Sequence, residues 1–264
     1  MQAPEGALVE SYLVRDRNAL ALYGNFAQII HDLDLHIVSQ GLDYDPFTRQ
    51  LLIDGLSALG LHLATRPVDE YVGWTVQIRQ PLMNLFFTGD ARTGALVGRA
   101  FTDPEDVAAR DESVFFSQSK REFGDPQLSS VAVTGVDLYG VVEQFYEKSE
   151  QKLARFFPRD AIAGFIVALP DVDANWLRAV SPEEAFDLAR RPRVEHLADR
   201  YFRFRCGCDS DKVAGILVGA YGQALDELFG DSDEVEVECP RCASRVSVSR
   251  RGYERLLRDH SQRR

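Results

Sequence analysis

The sequence predicts an α+β fold, in which helices and strands occupy separate stretches of the chain. Two observations carry this prediction. A series of short runs rich in β-branched and aromatic residues, bounded by turn residues such as Pro81, Gly89 and Pro126, indicates a mostly antiparallel sheet. Apolar residues at helical spacing precede and follow that series. The predicted strands are Trp74–Ile78, Asn84–Phe87, Ala95–Phe101, Val114–Gln118 and Ser130–Thr134.

The helices that flank these strands have recognisable limits. Asp45 and the proline after it supply a capping carboxylate and a first-turn proline, so the apolar residues that follow predict a helix over Pro46–Thr65. A second helical pattern predicts a helix over Leu138–Phe157, and Ile162–Ala168 predicts one further strand. We therefore interpret residues 1–170 as an N-terminal α+β domain.

Two further segments complete the chain. Residues 171–205 are dense in Asp and Arg and are interpreted as a linker, in which Ser181, Pro182 and Glu184 predict one short capped helix. Residues 206–264 are interpreted as a small C-terminal module. Its predicted elements are a helix capped by Asp209 or Ser210 and running to about Leu217, a hairpin of Val235–Val237 and Arg245–Val248, and a helix over Gly252–Asp259.

Composition and charge narrow the range of partners. Of the 264 residues 45% are apolar, which is enough for a conventional globular core. Lys and Arg number 30 against 41 Asp and Glu, and the net charge of -11 argues against general binding to a nucleic-acid backbone. The longest apolar run, Ala161–Leu169, is too short for a bilayer, and the acidic start of the chain is unlike a secretory signal. We expect a cytoplasmic protein with no membrane partner.

The four cysteines predict a metal site. Cys206 and Cys208 form one close pair, Cys239 and Cys242 form a second pair about thirty residues later, and the chain has no other cysteine. Because each pair can occupy one edge of a tetrahedron, this spacing is typical of a structural zinc ion held by four thiolates. In a reducing cytoplasm such cysteines are metal ligands rather than permanent disulfides. A closed site of this kind leaves no open position for Lewis-acid chemistry.

The predicted site carries a net negative charge and holds a small module. Zinc with four thiolates has a formal charge of -2, which is costly to bury without cations or hydrogen-bond donors nearby. The basic residues close to it in sequence are Arg203, Arg205, Lys212, Arg241 and Arg245. Because a module of this size is barely stable alone, the metal is expected to supply about 10 to 16 kcal/mol of apparent folding energy. Oxidation of the thiolates to disulfides would expel the metal and remove that energy.

With these motifs the chain resembles the heat shock protein 33 family of bacterial redox-regulated holdase chaperones, in which an α+β domain, a partly helical linker and a four-cysteine zinc module occur in this order. Cys206, Cys208, Cys239 and Cys242 fill the family's Cys-x-Cys and Cys-x-x-Cys positions. A second likeness is the segment Phe145–Gln151, which resembles the aromatic, Ser-Glu-Gln stretch on the last long helix of the family's N-terminal domain. The helix start at Ser181 also resembles one ahead of the family's zinc module.

The resemblance implies a chaperone rather than an enzyme. It implies a protein that is inactive while reduced and zinc-loaded. Oxidation to the disulfides Cys206–Cys208 and Cys239–Cys242 would release zinc, loosen the linker and expose apolar surface that captures unfolded client proteins, often as a homodimer. From the residues alone, only the removable metal is predicted, and no pattern identifies a client surface.

The chain departs from the family in three places. The family's glycine-rich turn is absent where Gln77 and Ile78 run into Arg79, and Leu128-Ser129-Ser130 stands where a Tyr-Gln-Gly segment is expected. The linker is shorter than usual by about one helix. These departures keep a second hypothesis open, an interaction protein whose zinc module is purely structural.

A third hypothesis is an RNA-associated zinc module. The C-terminal stretch from residue 241 is rich in arginine, and Arg250, Arg251 and Arg255 would carry such binding, but we favour a solvated helical face because the whole chain is acidic. The histidines show no ligand or triad spacing, and His62, on the apolar Pro46–Thr65 helix, is interpreted as a hydrogen-bonded core residue. No phosphate-binding loop, dinucleotide fingerprint or nucleophile elbow is present.

Overall fold

The fold is α+β, as predicted, with one large sheet, a small hairpin and eight α-helices among the residues that the structure describes. It is a computed structural model that describes residues 5–103, 105, 107–191 and 193–262, with side chains to residue 259. The ends of the predicted N- and C-terminal segments, and the side chain of His260, lie outside this description. None of the described helices is long and apolar enough to cross a membrane.

Ten strands form the large sheet, in the order β7-β6-β3-β4-β5-β10-β1-β2-β9-β8. Their bounds are Ala7–Val14 (β1), Ala19–Asn25 (β2), Glu70–Ile78 (β3), Met83–Asp90 (β4), Ala95–Phe101 (β5), Ser113–Arg121 (β6), Gln127–Val133 (β7), Ala154–Arg159 (β8), Ile162–Ala168 (β9) and Val194–Phe204 (β10). Neighbouring strands are antiparallel except β5 and β10, which run parallel over a short stretch. The hairpin pairs Glu234–Glu238 (β11) with Arg245–Ser249 (β12).

The helices lie on both sides of the sheet and in the C-terminal segment. Their bounds are Ala27–Gln40 (α1), Pro46–Ala64 (α2), Leu138–Phe145 (α3), Ala174–Ala179 (α4), Pro182–Asp187 (α5), Ser210–Tyr221 (α6), Leu225–Phe229 (α7) and Arg250–Gln262 (α8). The predicted helix starts are confirmed, because the side chains of Asp45, Ser181 and Asp209 each accept the backbone N–H three residues ahead. At Ser181 the reciprocal bond from Glu184 completes the capping box.

The main core lies between one face of the sheet, called here the inner face, and helices α1, α2 and α3. Helix α2 is buried along most of its length because it crosses both halves of the sheet. Phe87 fills the space above Gly55, where a Cβ atom would lie 2.1 Å from the Phe87 ring. Trp74, Phe115 and Phe145 belong to the same core and pack their fully buried rings against one another. The five strands predicted between residues 74 and 134 all contribute to this sheet, so their antiparallel arrangement is confirmed.

The opposite, outer face differs between the two halves of the sheet. Over β1, β2, β8 and β9 it is covered by α4 and α5. Leu177 of α4, Ala185 of α5 and Leu188, which directly follows α5, are buried in one cluster with Phe157 and Ile166. Over β3, β4, β6 and β7 the same face forms an open, largely apolar groove of about 650 Å³. The groove is lined by Tyr71, Gly73, Thr75, Phe86, Phe116 and Leu128, among others.

The predicted helix over Leu138–Phe157 is too long. Helix α3 ends at Phe145 and continues as a π-turn over Tyr146–Glu150, and the chain reverses at Gln151, which has a φ of 53°. The residues after it form β8, because pairing with β9 buries Phe156 and Phe157 on opposite faces of the sheet. Tertiary pairing therefore overrides a helical pattern that was continuous only by chance.

The segment 171–205 contains more structure than the one predicted helix. Two short helices, α4 and α5, are followed by the eleven-residue strand β10, which joins the two halves of the sheet. Strand β10 pairs with β1 along its length and with β5 only through Arg203 and Phe204. No apolar alternation marks this strand in the sequence, since Phe202 is its one buried residue.

Candidate metal centre

The two cysteine pairs are placed by different elements. Cys206 and Cys208 follow β10 directly and precede α6, while Cys239 and Cys242 lie in the turn of the β11–β12 hairpin. In the first pair Gly207 has a φ of 65°, which a residue with a side chain adopts less readily. In the second, Ala243 N donates to Cys239 O and Cys239 N donates to Ser244 O, both at 2.8 Å. We call the segment Cys239–Cys242 the cysteine knuckle.

The fold brings all four predicted cysteines together. Cys206 Sγ lies 3.7 Å from Cys239 Sγ, and Cys208 Sγ lies 3.5 Å from Cys242 Sγ. All four sulfur atoms lie within 4.8 Å of one another. A tetrahedral zinc ion with bonds of about 2.3 Å requires sulfur–sulfur edges of about 3.8 Å. The four sulfur atoms therefore have the spacing that such an ion needs, and this cluster could hold a metal.

Burial and hydrogen bonds among the cysteines shift the pKa of the Cys206, Cys208 and Cys242 thiols. The hydrogen bond with Cys239 and burial raise the pKa of the Cys206 thiol, and burial raises the pKa of the Cys208 thiol to about 11. Hydrogen bonds from Cys206 and Cys239 lower the pKa of the Cys242 thiol, so one thiolate is stabilised by the thiols around it. Four thiolates at these distances require a cation between them, because their mutual repulsion otherwise keeps some of them protonated.

Three of the five basic residues predicted to surround the thiolates make their contacts with other groups. The Lys212 ammonium donates to the Gly207 carbonyl, Arg241 donates to the Thr88 hydroxyl, and Arg245 lies 3.9 Å from a Glu236 carboxylate oxygen. Polar side-chain contacts to sulfur come instead from Ser244, whose Oγ lies 3.2 Å from Cys242 Sγ, and from His36, whose hydrogen bond to Cys242 lowers the pKa of that thiol. Lys212, Arg241 and Arg245 thus bind a carbonyl, a hydroxyl and a carboxylate rather than the sulfur atoms.

Two residues far away in sequence contact the cysteine backbone. Arg99 on β5 donates to Cys239 O at 3.0 Å, and His36 on α1 donates to Cys242 O at 2.7 Å. Neither could be found from the sequence, because they lie 140 and 206 residues from their partners. Val97, also on β5, is buried beneath Cys239 and Cys242.

The other histidines behave largely as predicted. His62 is buried in the core with its Nδ1 2.6 Å from the Tyr146 hydroxyl, and burial lowers its pKa well below the usual value, so its interpretation as a core residue is confirmed. His196 contacts Asp199 at 2.6 Å, and with Glu10 these two form a second group of side chains close enough to share a metal. That group is solvent-exposed at His196 and Asp199.

The arginines behind the RNA hypothesis are partly neutralised. Arg250 lies 3.0 Å from Asp226, and Arg255 lies 2.9 Å from Asp211. Because these ion pairs join α8 to α7 and α6, they belong to the packing of the C-terminal segment. They favour the interpretation of this helix face as solvated surface.

The segment that contains the four cysteines matches a known protein family. Residues 159–249, which include all four cysteines, match the model of the family described as Hsp33 protein. The resemblance to the heat shock protein 33 family is confirmed. The matched segment runs from β8 through the hairpin of the cysteine knuckle. No curated protein matches the chain.

The fold likeness to a heat shock protein 33 homologue extends over the whole chain. The crystal structure of the 33 kDa chaperonin (heat shock protein 33 homolog) from Thermotoga maritima superimposes with a TM-score of 0.70 and 14% sequence identity. The match covers 98% of this chain and 100% of the other. At this identity the structural likeness establishes the fold.

Proposed function

We propose that the protein is a redox-regulated holdase chaperone that binds unfolded proteins under oxidative stress, with Cys206, Cys208, Cys239 and Cys242 as its thiol switch. The observation that carries the proposal is the convergence of these four sulfur atoms, all within 4.8 Å of one another and with two contacts of 3.5 and 3.7 Å. The family match to the segment that contains them supports it. The proposed site of action is the cytoplasm, where thiols are kept reduced until an oxidant arrives.

The proposed cofactor is one zinc ion bound by the four thiolates. When bound, it supplies a cross-link between the start of α6 and the β11–β12 hairpin and performs no Lewis-acid step, because the protein fills all four positions. The segment around it has a small apolar cluster centred on Val248 and Tyr253. Metal loss is therefore expected to unfold residues 206–264, the proposed zinc-binding module.

The proposed switch is oxidation of the thiolates by peroxide. Each disulfide forms when two thiolates give up two electrons to one peroxide molecule, which takes up two protons and leaves as two water molecules. We propose the pairs Cys206–Cys208 and Cys239–Cys242. In the reduced fold the sulfur contacts of 3.7 and 3.5 Å run between the pairs, so disulfides within each pair would separate the two halves of the site.

The open groove on the outer face is the proposed client surface in residues 1–170. Tyr71, Phe116 and Leu128 are exposed there although they are large and apolar, and exposed apolar patches of this kind mark interaction sites. Residues 171–205 would act as the linker that releases more surface on oxidation, and the oxidised chain would act as a homodimer. No catalytic role is proposed.

The test is an aggregation assay with a thermally unfolding client. The reduced, zinc-loaded chain should leave the client to aggregate, and peroxide at elevated temperature should release one zinc per chain and produce holding activity. Thiol trapping with peptide mapping should find the two proposed disulfides, and reductant with zinc should reverse the change. A chain with all four cysteines replaced by serine should not respond to peroxide. Equal holding before and after oxidation would refute the switch.

The same assay distinguishes the proposed chaperone from the second hypothesis, an interaction protein. An interaction protein with a purely structural zinc module would keep its zinc under mild oxidant and would acquire no holding activity. A chromophoric chelator that reports released zinc distinguishes the two outcomes directly.

A further inference from the structure

The cysteine knuckle lies directly on the sheet, and not only at the end of the linker. Arg241, at the centre of the knuckle, donates to the hydroxyl of Thr88 on β4 at 2.8 and 3.2 Å from two guanidinium nitrogens. Its guanidinium also lies 6.0 Å from the ring of Tyr71 on β3. Thr88 is 2% exposed, so the knuckle shields it from water.

The two ligand cysteines of the knuckle are held by residues of the N-terminal domain. Their carbonyl oxygens accept from Arg99 and His36, which belong to the sheet and to α1. Beneath them Val97 is 1% exposed and belongs to one buried cluster with Cys239 and Cys242. Gln40 on α1 accepts the backbone N–H of Arg245 at 3.1 Å. Polar and apolar contacts thus anchor one half of the metal site to the N-terminal sheet.

We propose that the cysteine knuckle is a latch that couples metal binding directly to the outer face of the sheet, with Arg241 and Thr88 as its central pair. This inference rests on the proposed function, since it assumes that Cys239 and Cys242 bind the metal. Docking of the knuckle on the sheet holds Cys239 and Cys242 in position to bind the ion. The bound ion in turn holds the knuckle in the conformation that docks. Metal loss releases the knuckle and uncovers Val97 and Thr88, which extends the open groove toward β5.

Coupling through the latch involves different strands from coupling through the linker, as the position of the groove shows. Thr88 lines the groove together with Phe86 and Tyr71, so Arg241 closes its end nearest to β5. A signal through the linker would instead begin at Cys206 and pass along β10. The latch connects the other cysteine pair to β4 and β5 without passing through β10.

Thermodynamic linkage supplies the test, because docking must strengthen metal binding by the same factor as the metal strengthens docking. The full-length, reduced chain is titrated with a chromophoric zinc chelator at equilibrium. Thr88→Val, which keeps the side-chain shape, and Arg241→Met should each weaken zinc binding about tenfold, equivalent to about 1.4 kcal/mol. Both substitutions remove the same contact between Arg241 and Thr88. The zinc affinity of the double variant should therefore be no lower than that of the weaker-binding single variant.

The reverse coupling is read from tryptophan fluorescence. The chain has two tryptophans, Trp74 in the sheet core and Trp176 on α4, which packs on the sheet, so thermal unfolding followed by fluorescence reports the sheet with this cover and not the cysteine module. Removing zinc from the native chain should lower this unfolding midpoint by a few degrees. In Arg241→Met and Thr88→Val the zinc-dependent shift should be smaller.

Arg245→Met is the matched control. It removes an arginine side chain three residues from Cys242, but that side chain is exposed and lies near Glu236 within the hairpin. Zinc affinity and the zinc-dependent shift should stay native. If Thr88→Val leaves both unchanged, the latch is overturned, whether or not Arg241→Met folds. Failure of the peroxide-dependent holding assay with these couplings intact would overturn the proposed function alone, whereas a chain that binds no zinc would overturn both.

Discussion

The ten-stranded sheet and the cysteine module differ in what holds them together. The sheet has one continuous apolar core, in which the rings of Trp74, Phe87 and Phe115 are fully buried beneath α2. The module has a small cluster of six buried residues around Val248 and Tyr253, next to four cysteines. Burial of apolar surface can stabilise the sheet by itself, whereas we expect the module to depend on the proposed metal. The proposed thiol switch requires this difference, because only the part that depends on the metal should respond to oxidant.

Metal removal should have the largest effect and should be confined to the module. Cys239→Ser, or chelation of the native chain, removes up to about 10 to 16 kcal/mol of apparent binding energy from a segment with little other support. Amide hydrogen exchange should then rise in the peptides of α6, β11, β12 and α8, while α2 and β3 stay protected. Returning zinc to the chelated native chain should restore protection.

A module that keeps its protected amides without metal would contradict this comparison. It would mean that the cluster around Tyr253 is a sufficient core. The cysteines would then be an addition to a stable fold rather than its support.

Phe87→Ala should have the second largest effect and should act on the sheet. Phe87 fills the space above Gly55 and Gly98, and removing its ring leaves a cavity that the surrounding backbone cannot close, at a cost of about 3 to 5 kcal/mol. Urea unfolding followed by tryptophan fluorescence measures this loss. Phe116→Ala, on the outer face and 39% exposed, is the matched control and should cost much less.

Zinc content is the second measurement on the Phe87 variant. Under native conditions it should retain one zinc per chain, because its folded population binds the ion as before. Loss of zinc below the unfolding transition would show that the sheet and the site are more tightly coupled than one latch provides.

The sequence predicted what depends on neighbours along the chain. Asp45, Ser181 and Asp209 predict helix starts because a capping side chain binds a backbone N–H only three residues ahead. The cysteines could be grouped because compartment and spacing limit their chemistry. Their actual convergence needs the fold, since β10 delivers one pair and a hairpin delivers the other.

What the sequence missed depends on distant pairing. Strand β10 buries only Phe202, and its other apolar residues do not alternate regularly with polar ones, so nothing local distinguishes it from a linker. Its place in the sheet comes from pairing with β1. Likewise, the residues of β8 follow a helical pattern, and nothing in them indicates that they pair with β9. Arg99 and His36 contact the knuckle only in the folded chain.

A smaller effect on the sheet should come from Asp54 and should depend on pH. Burial raises the pKa of this α2 carboxyl to about 6, so between about pH 4 and 6 the folded chain keeps a proton that the unfolded chain has lost. Its contribution to stability therefore falls as pH rises through this window. Asp54→Asn should match the native unfolding midpoint below pH 4 and exceed it at pH 7.

The control for Asp54 is Asp45, an exposed carboxylate that caps the same helix, α2. Asp45→Asn retains a capping oxygen for Thr48 and should show no gain at pH 7. If Asp54→Asn is no more stable than the native chain at pH 7, the Asp54 carboxylate is adequately solvated and its ionisation does not destabilise the sheet.

The smallest effect should come from Ser181→Ala, which tests the cover over one half of the outer face. The Ser181 hydroxyl accepts from Glu184 N and so holds the first turn of α5, the helix whose Ala185 packs near Phe157. Loss of this cap should cost about 1 kcal/mol, measured by urea unfolding with tryptophan fluorescence. Ser130→Ala, at an exposed position in the groove, is the matched control and should change stability little. An equal loss in both variants would mean that α5 is held by its buried apolar contacts alone, and that the covered half of the sheet does not depend on the helix start that the sequence announces.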